Sequence, residues 1–168
     1  MDIFSNIFRV AKVTVNEINK PESYVKGEDF ERYVSTRLFP AGKYQLLHQT
    51  HDYTTNKERY PDESKEPDYK FRSKINNKEF YVEAKYRKYY HENAVQWCNK
   101  YQLKRYQTID RDIPVFIVLA VGGEPSSPNE LFLIPVRDIK YTKLFRSFLV
   151  KYPSNLGQPV DYTKLELK

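Results

Sequence analysis

The stretch Asp68–Lys88, DYKFRSKINNKEFYVEAKYRK, decides how the rest of the chain is read. Tyr69, Phe71 and Ile75 alternate with Lys70, Arg72 and Lys74; further on, Phe80, Val82 and Ala84 alternate with Tyr81, Glu83 and Lys85. Period two on both sides of Asn76-Asn77 predicts a hairpin, because Asn tolerates the left-handed angles of a tight turn. With Asn76 and Asn77 as the two loop residues, Lys74 faces Glu79, Arg72 faces Tyr81, Lys70 faces Glu83 and Asp68 faces Lys85. One face of the hairpin is then mostly apolar and the other holds every charge. Asp68 lands opposite Lys85 and diagonal to Glu83, so one Lys and two carboxylates converge at the open end.

Such a trio has two readings. Two converging carboxylates can hold a hard divalent cation, with waters and a substrate phosphate completing its shell. A Lys beside them can orient water and steady charge developing on a phosphate. The alternative is ordinary cross-strand ion pairing on a solvated sheet face.

Outward from the hairpin, the pattern alternates between helices and strands. Phe30, Val34 and Leu38 recur every four residues, which predicts an amphipathic helix over Gly27–Phe39, closed by Pro40 and Gly42. A helix is also expected over residues 3–18, and a strand over Tyr44–Thr50. Residues 51–66, HDYTTNKERYPDESKE, are polar and broken by Pro, so they read as an exposed loop or insertion. After the hairpin the pattern predicts a helix over Glu92–Ile109. Ile113–Val121 is nearly continuous in apolar residues and ends in Gly-Gly, as in a strand buried on both faces. A loop over 124–129, a strand over Glu130–Val136 and a helix over Thr142–Tyr152 complete the order. This succession predicts a mixed α/β domain. One domain over 1–168 is expected, with a helical appendage over 1–25 and an irregular tail over 153–168.

Composition bounds the function. The 168 residues carry a formal charge of +6, and 15 Tyr, 10 Phe and 1 Trp against 5 Gly mark an aromatic-rich globular chain. The single Cys98 excludes an internal disulfide and a multi-cysteine zinc site, and His48, His51 and His91 show no ligand spacing. The longest apolar run is too short to span a bilayer, and the N-terminus shows no secretory signal. A soluble cytoplasmic protein that does not enter membranes is expected. Between Lys70 and Arg105 lie ten Lys/Arg and three acids, so that segment holds +7 and the remainder −1. Tyrosines interleave it. A basic, Tyr-rich stripe suits a phosphate backbone, although a solvated basic face has the same composition.

At this point the residues resemble a known family. Pro67-Asp68, followed after fourteen residues by Glu83-Ala84-Lys85, resembles the signature of the PD-(D/E)XK nuclease superfamily. Gly27-x-x-Phe30-Glu31-x-x-Val34 resembles that superfamily's first-helix motif, and Gln102-x-x-x-Tyr106 a motif of its RecB-type members. The resemblance covers about Lys26 to Ile139. It implies a restriction-endonuclease-like fold, a mixed β-sheet flanked by helices with an α-β-β-β-α-β core. It also implies a Mg²⁺- or Mn²⁺-dependent deoxyribonuclease, an endonuclease acting on DNA phosphodiesters. Asp68, Glu83, the Ala84 carbonyl and Glu31 would be the metal ligands. Lys85, Gln102 and Tyr106 would complete the catalytic group. Lys70, Arg72, Arg87, Lys88, Lys100, Lys104 and Arg105 would then hold the DNA backbone.

Read without the resemblance, several of these residues have plainer uses. Glu31, on the flank of its helix's apolar stripe, can point to water. Gln102 can satisfy a core backbone group or contact substrate or Lys85. Cys98 and Trp97 read as core residues, while Tyr89 and Tyr90 are candidates for base contact. A non-catalytic nucleic-acid-binding or interaction subunit that keeps the fold is the competing function. A subunit of a larger complex fits the small size, and a homodimer is expected only because cutting two strands usually needs two sites.

Overall fold

The strand Val115–Glu124 is buried from Val115 to Val121 because it is packed on both faces. Phe116, Val118 and Ala120 point into one core with Phe30, Val34, Leu38, Phe71, Phe80 and Val82. Ile117, Leu119 and Val121 point into another with Trp97, Leu103, Tyr106 and Ile134. The computed structural model describes residues 21–50 and 65–165. The helix expected over 3–18 and most of the 51–66 excursion lie outside the described residues.

The elements run α1 (Glu22–Tyr33), extended by a π-helical turn Val34–Leu38; β1 (Tyr44–Gln49); β2 (Tyr69–Ser73); β3 (Glu79–Arg87); β4 (Ala94–Gln96); α2 (Lys100–Ile109); β5 (Val115–Glu124); β6 (Ser127–Pro135); β7 (Lys143–Phe145); and a single turn, α3 (Arg146–Leu149). Five strands form one mixed sheet in the order β1-β2-β3-β5-β6. β3 and β5 are parallel and the other pairs antiparallel. α1 covers one face and α2 the other, which is the mixed α/β architecture expected from the sequence. No helix among the described residues is long and apolar enough to cross a membrane.

Four local expectations are corrected. The hairpin is shifted by two residues: Arg72 pairs with Glu79, Lys70 with Tyr81 and Tyr69 with Val82. Only Asn77 takes a positive φ (57°), so the two-residue Asn-Asn turn does not form. The Asn76 side chain instead accepts the Lys78 N–H, and Ser73 Oγ accepts the Ile75 N–H, which shapes a longer connection. An even shift keeps every side chain on its predicted face.

The expected helix over Glu92–Ile109 begins only at Lys100. Glu92 and Asn93 sit at φ 51° and 61°, left-handed values that no helix accommodates, and His91 and Ala94 exchange backbone hydrogen bonds across them. Asn99 then caps α2 by accepting the Gln102 N–H (2.8 Å).

Residues 124–129 are largely strand, because Gly122 and Gly123 at positive φ let β5 continue into a tight connection to β6. Of the helix expected over Thr142–Tyr152, only α3 is helical; Lys143–Phe145 pairs with β4 instead. The tail past Pro153 is irregular except for a short 3₁₀ turn over Tyr162–Leu165, yet Val160 and Leu165 are buried in the first core. The Val160 N–H reaches Leu38 O at 2.8 Å.

Candidate active site

The two-residue shift changes how the charged trio meets. Continued past Tyr69–Val82, the register sets Asp68 across from Glu83 and Pro67 across from Ala84. Proline has no N–H to give. The Pro67 carbonyl accepts instead from the Thr50 hydroxyl at 3.0 Å, so the Ala84 N–H donates to Asp68 Oδ2 at 2.8 Å, and the Asp68 N–H donates to Glu83 Oε2 at 3.2 Å. In an extended strand the N–H and C=O of one residue lie on the same edge. The Ala84 carbonyl therefore faces the Asp68 side and receives no donor from Pro67.

Glu83 is 2% exposed, one of two buried polar residues among the described residues, and its carboxylate is enclosed by partners. Lys85 Nζ is 2.5 Å from Oε1, and Gln102 Nε2 donates to the same oxygen at 3.0 Å. The Tyr106 hydroxyl donates to Oε2 at 2.6 Å and accepts from Gln102 Nε2 at 3.0 Å. Gln102 and Tyr106 are one helical turn apart, so one face of α2 supplies both. The Trp97 ring packs against Tyr106 with centroids 6.4 Å apart, which fixes the phenol from behind.

The electrostatics are those of two acids sharing a dry corner. Withdrawal from water, then the Glu83 carboxylate beside it, hold Asp68 well above the ordinary carboxylate range; Glu31 adds to the rise, and Lys85 opposes it. Burial works against the Lys85 charge, but Glu83 and Asp68 outweigh it and its pKa is raised. Tyr106 is pushed far above the phenol range by burial and by Glu83, so it stays a proton donor. Burial also pushes Cys98 up to about 12, which removes it as a nucleophile.

Asp68, Glu83, Ala84 and Lys85 thus stand together with Gln102 and Tyr106, and the Glu31 charge acts on Asp68 from α1. Gln102 also has a use the sequence did not suggest: its Nε2 braces the Glu83 carboxylate and the Tyr106 hydroxyl. The donor set of two carboxylate oxygens and a backbone carbonyl suits a hard cation with water and phosphate in its other positions. Among the described residues, no three His, Cys, Asp or Glu side chains form a complete cage by themselves.

The expected basic stripe divides in two. Lys70 and Arg72 both bind Glu79, at 2.8 and 2.6 Å. Arg87 donates to the carbonyls of Tyr86, Gln96 and Trp97, tying the end of β3 to the segment before α2. These three are spent within the protein. Lys88, Lys100 and Lys104 are exposed, and Arg105 lies over the Tyr106 ring, its Cζ 5.7 Å from the centroid. Trp97 is buried, as expected. Tyr90 bonds Glu130, while Tyr89 is 72% exposed. Sequence reasoning passed over Pro67 as a physical device and Asn99 as the cap that aims Gln102. The signal for Asn99 was its place before the basic, Tyr-rich run 100–106.

No family model matches the chain, and no curated protein matches it. Among solved structures it is similar to Hjc, a Holliday junction resolvase from the archaeal hyperthermophile Archaeoglobus fulgidus. The identity is 16% and the TM-score 0.55, over 76% of this chain and 95% of that one. With the mixed five-stranded sheet and its flanking helices, this likeness shows that the chain has the restriction-endonuclease-like fold.

Proposed function

We propose that the chain is a divalent-metal-dependent nuclease that hydrolyses DNA phosphodiester bonds, acting as an endonuclease. One observation carries this reading. On this fold, a buried Glu83 stands across from Asp68 with the Lys85 ammonium 2.5 Å away. An acid pair held in a dry corner is costly without a cation, and structural ion pairs seldom include two acids.

Asp68, Glu83 and the Ala84 carbonyl would hold Mg²⁺ or Mn²⁺, with Glu31 as a further carboxylate. An ion bound there would supply positive charge to offset that of the phosphate and would make water more acidic. Lys85 steadies the negative charge that grows on the phosphate oxygens as water adds to phosphorus. Gln102 and Tyr106 are positioning residues that hold the Glu83 carboxylate in one orientation. Lys88, Lys100, Lys104 and Arg105 hold the DNA backbone.

A second reading, a non-catalytic DNA-binding or interaction module, has one observation in its favour. Both Glu83 oxygens already have partners, as in a structural network. Cleavage assays on duplex, branched and single-stranded DNA with Mg²⁺, Mn²⁺, Ca²⁺ or EDTA separate the two. Cutting with Mg²⁺ or Mn²⁺ that Lys85→Ala abolishes supports the nuclease. Binding without cutting under every condition supports the module.

A further inference from the structure

Tyr101 is the most exposed large apolar side chain among the described residues, at 84% of its full surface. Among those residues it makes no hydrogen bond or ring contact. An isolated exposed aromatic is ordinary; the position of this one is not. Tyr101 immediately precedes Gln102, which touches Glu83. By helical geometry, Tyr101 and Arg105 form the stripe directly beside the Gln102–Tyr106 stripe, on its solvent side. Lys100 and Lys104 flank it and are exposed. Tyr89 is also exposed, but the Lys88 ammonium sits 5.3 Å above its ring. Tyr101 therefore offers an open aromatic face beside Lys100 and Lys104, one residue before the Gln102 that braces Glu83.

We propose that Tyr101 stacks on an unpaired base of the substrate, so that the preferred DNA has a single-stranded or splayed nucleotide next to the scissile phosphate. This rests on the nuclease reading and narrows its substrate. A continuous duplex keeps its bases stacked on one another and offers no free π-face. An unpaired base offers one, and stacking on it is indifferent to sequence. Lys100, Lys104 and Arg105 would hold the backbone on either side whatever the base.

The test uses the full chain with Ca²⁺ and one sequence prepared as continuous duplex, as single strand, and as duplex with one unpaired 2-aminopurine. Tyr101→Ala should weaken binding of the two unpaired substrates by roughly five- to a hundredfold. On the duplex it should change affinity by less than about twofold, since the side chain contributes no phosphate contact. Tyr101→Trp should retain the tight binding. The wild-type protein should shift the 2-aminopurine fluorescence through stacking, and Tyr101→Ala should not. Lys104→Ala should weaken all three substrates alike. Equal losses on duplex and unpaired DNA, or none on either, would overturn the stacking role while the wild type still binds and cuts. If the wild type bound no DNA at all, both this inference and the nuclease reading would fall.

Discussion

Strand β3 carries two glutamates four residues apart on one face, and the sheet treats them in opposite ways. Glu79 is partly exposed and lies between Lys70 and Arg72, whose hydrogen bonds hold it below the ordinary carboxylate range. Glu83 is buried, has a second acid across from it, and is met by one ammonium, one amide and one phenol. Both make short ion pairs with a basic residue. What separates the two glutamates is therefore the neighbourhood: dryness, a like charge, and neutral donors that fix geometry without neutralising it.

The largest expected difference is catalytic. Lys85→Ala should lower the single-turnover cleavage rate by about 10²–10³, whereas Glu79→Gln should leave it within about twofold. Equal losses would erase the distinction between the two glutamates.

Next comes stability. Tyr106→Phe strips a donor from the buried Glu83 oxygen and should destabilise the fold by about 1–3 kcal/mol in chemical denaturation. Arg72→Ala, at the exposed pair, should cost about 0–1 kcal/mol.

The two acid sites should also respond to pH with opposite sign. Asp68 has a raised pKa in the folded state, so without divalent cation its contribution is present below the usual carboxylate range and is lost as pH rises through the raised value. Asp68→Asn should flatten that fall and make the cation-free protein more stable at neutral pH. Glu79 has a lowered pKa, so its contribution is present above the usual range and is lost as pH falls through the lowered value. Urea midpoints against pH for wild type, Asp68→Asn and Glu79→Gln read both signs.

The smallest effect separates free from committed cations. Lys100→Ala and Lys104→Ala should each flatten the log-affinity versus log-salt slope by about 0.9 on duplex DNA. Lys70→Ala, whose ammonium is held by Glu79, should leave the slope unchanged.

Much of this was legible in the residues because period two survives an even shift. Phe71, Phe80 and Val82 face the core, and Lys70, Arg72 and Glu83 face away from them, in either register. The register itself was not legible. It turns on whether Asn76 takes a left-handed angle or uses its side chain to accept the Lys78 N–H, a choice between nearly equal local options. The same limit applies at Glu92-Asn93. The apolar Val95 and Cys98 imitate helical spacing, while two left-handed residues make a turn and start a strand. The carboxylates, Lys85, Gln102 and Tyr106 could be named from their motif spacing. That Arg87 would be spent on three carbonyls could not, because two of them, those of Gln96 and Trp97, belong to β4 and the loop after it, a segment the sequence reads as helix.

The central claim is that Asp68 and Glu83 form a cation site and Lys85 works beside it without ligating. Thermal unfolding with and without Mn²⁺ tests this most directly, for wild type, Asp68→Asn, Glu83→Gln, Lys85→Ala and Glu79→Gln. A ligand held only by the folded state stabilises it, by about 2.7 kcal/mol at a hundred times its dissociation constant. Wild type, Lys85→Ala and Glu79→Gln should all gain stability with Mn²⁺, and Asp68→Asn and Glu83→Gln should not. An equal Mn²⁺-dependent gain in all five proteins, or no gain in the wild type, would contradict the account.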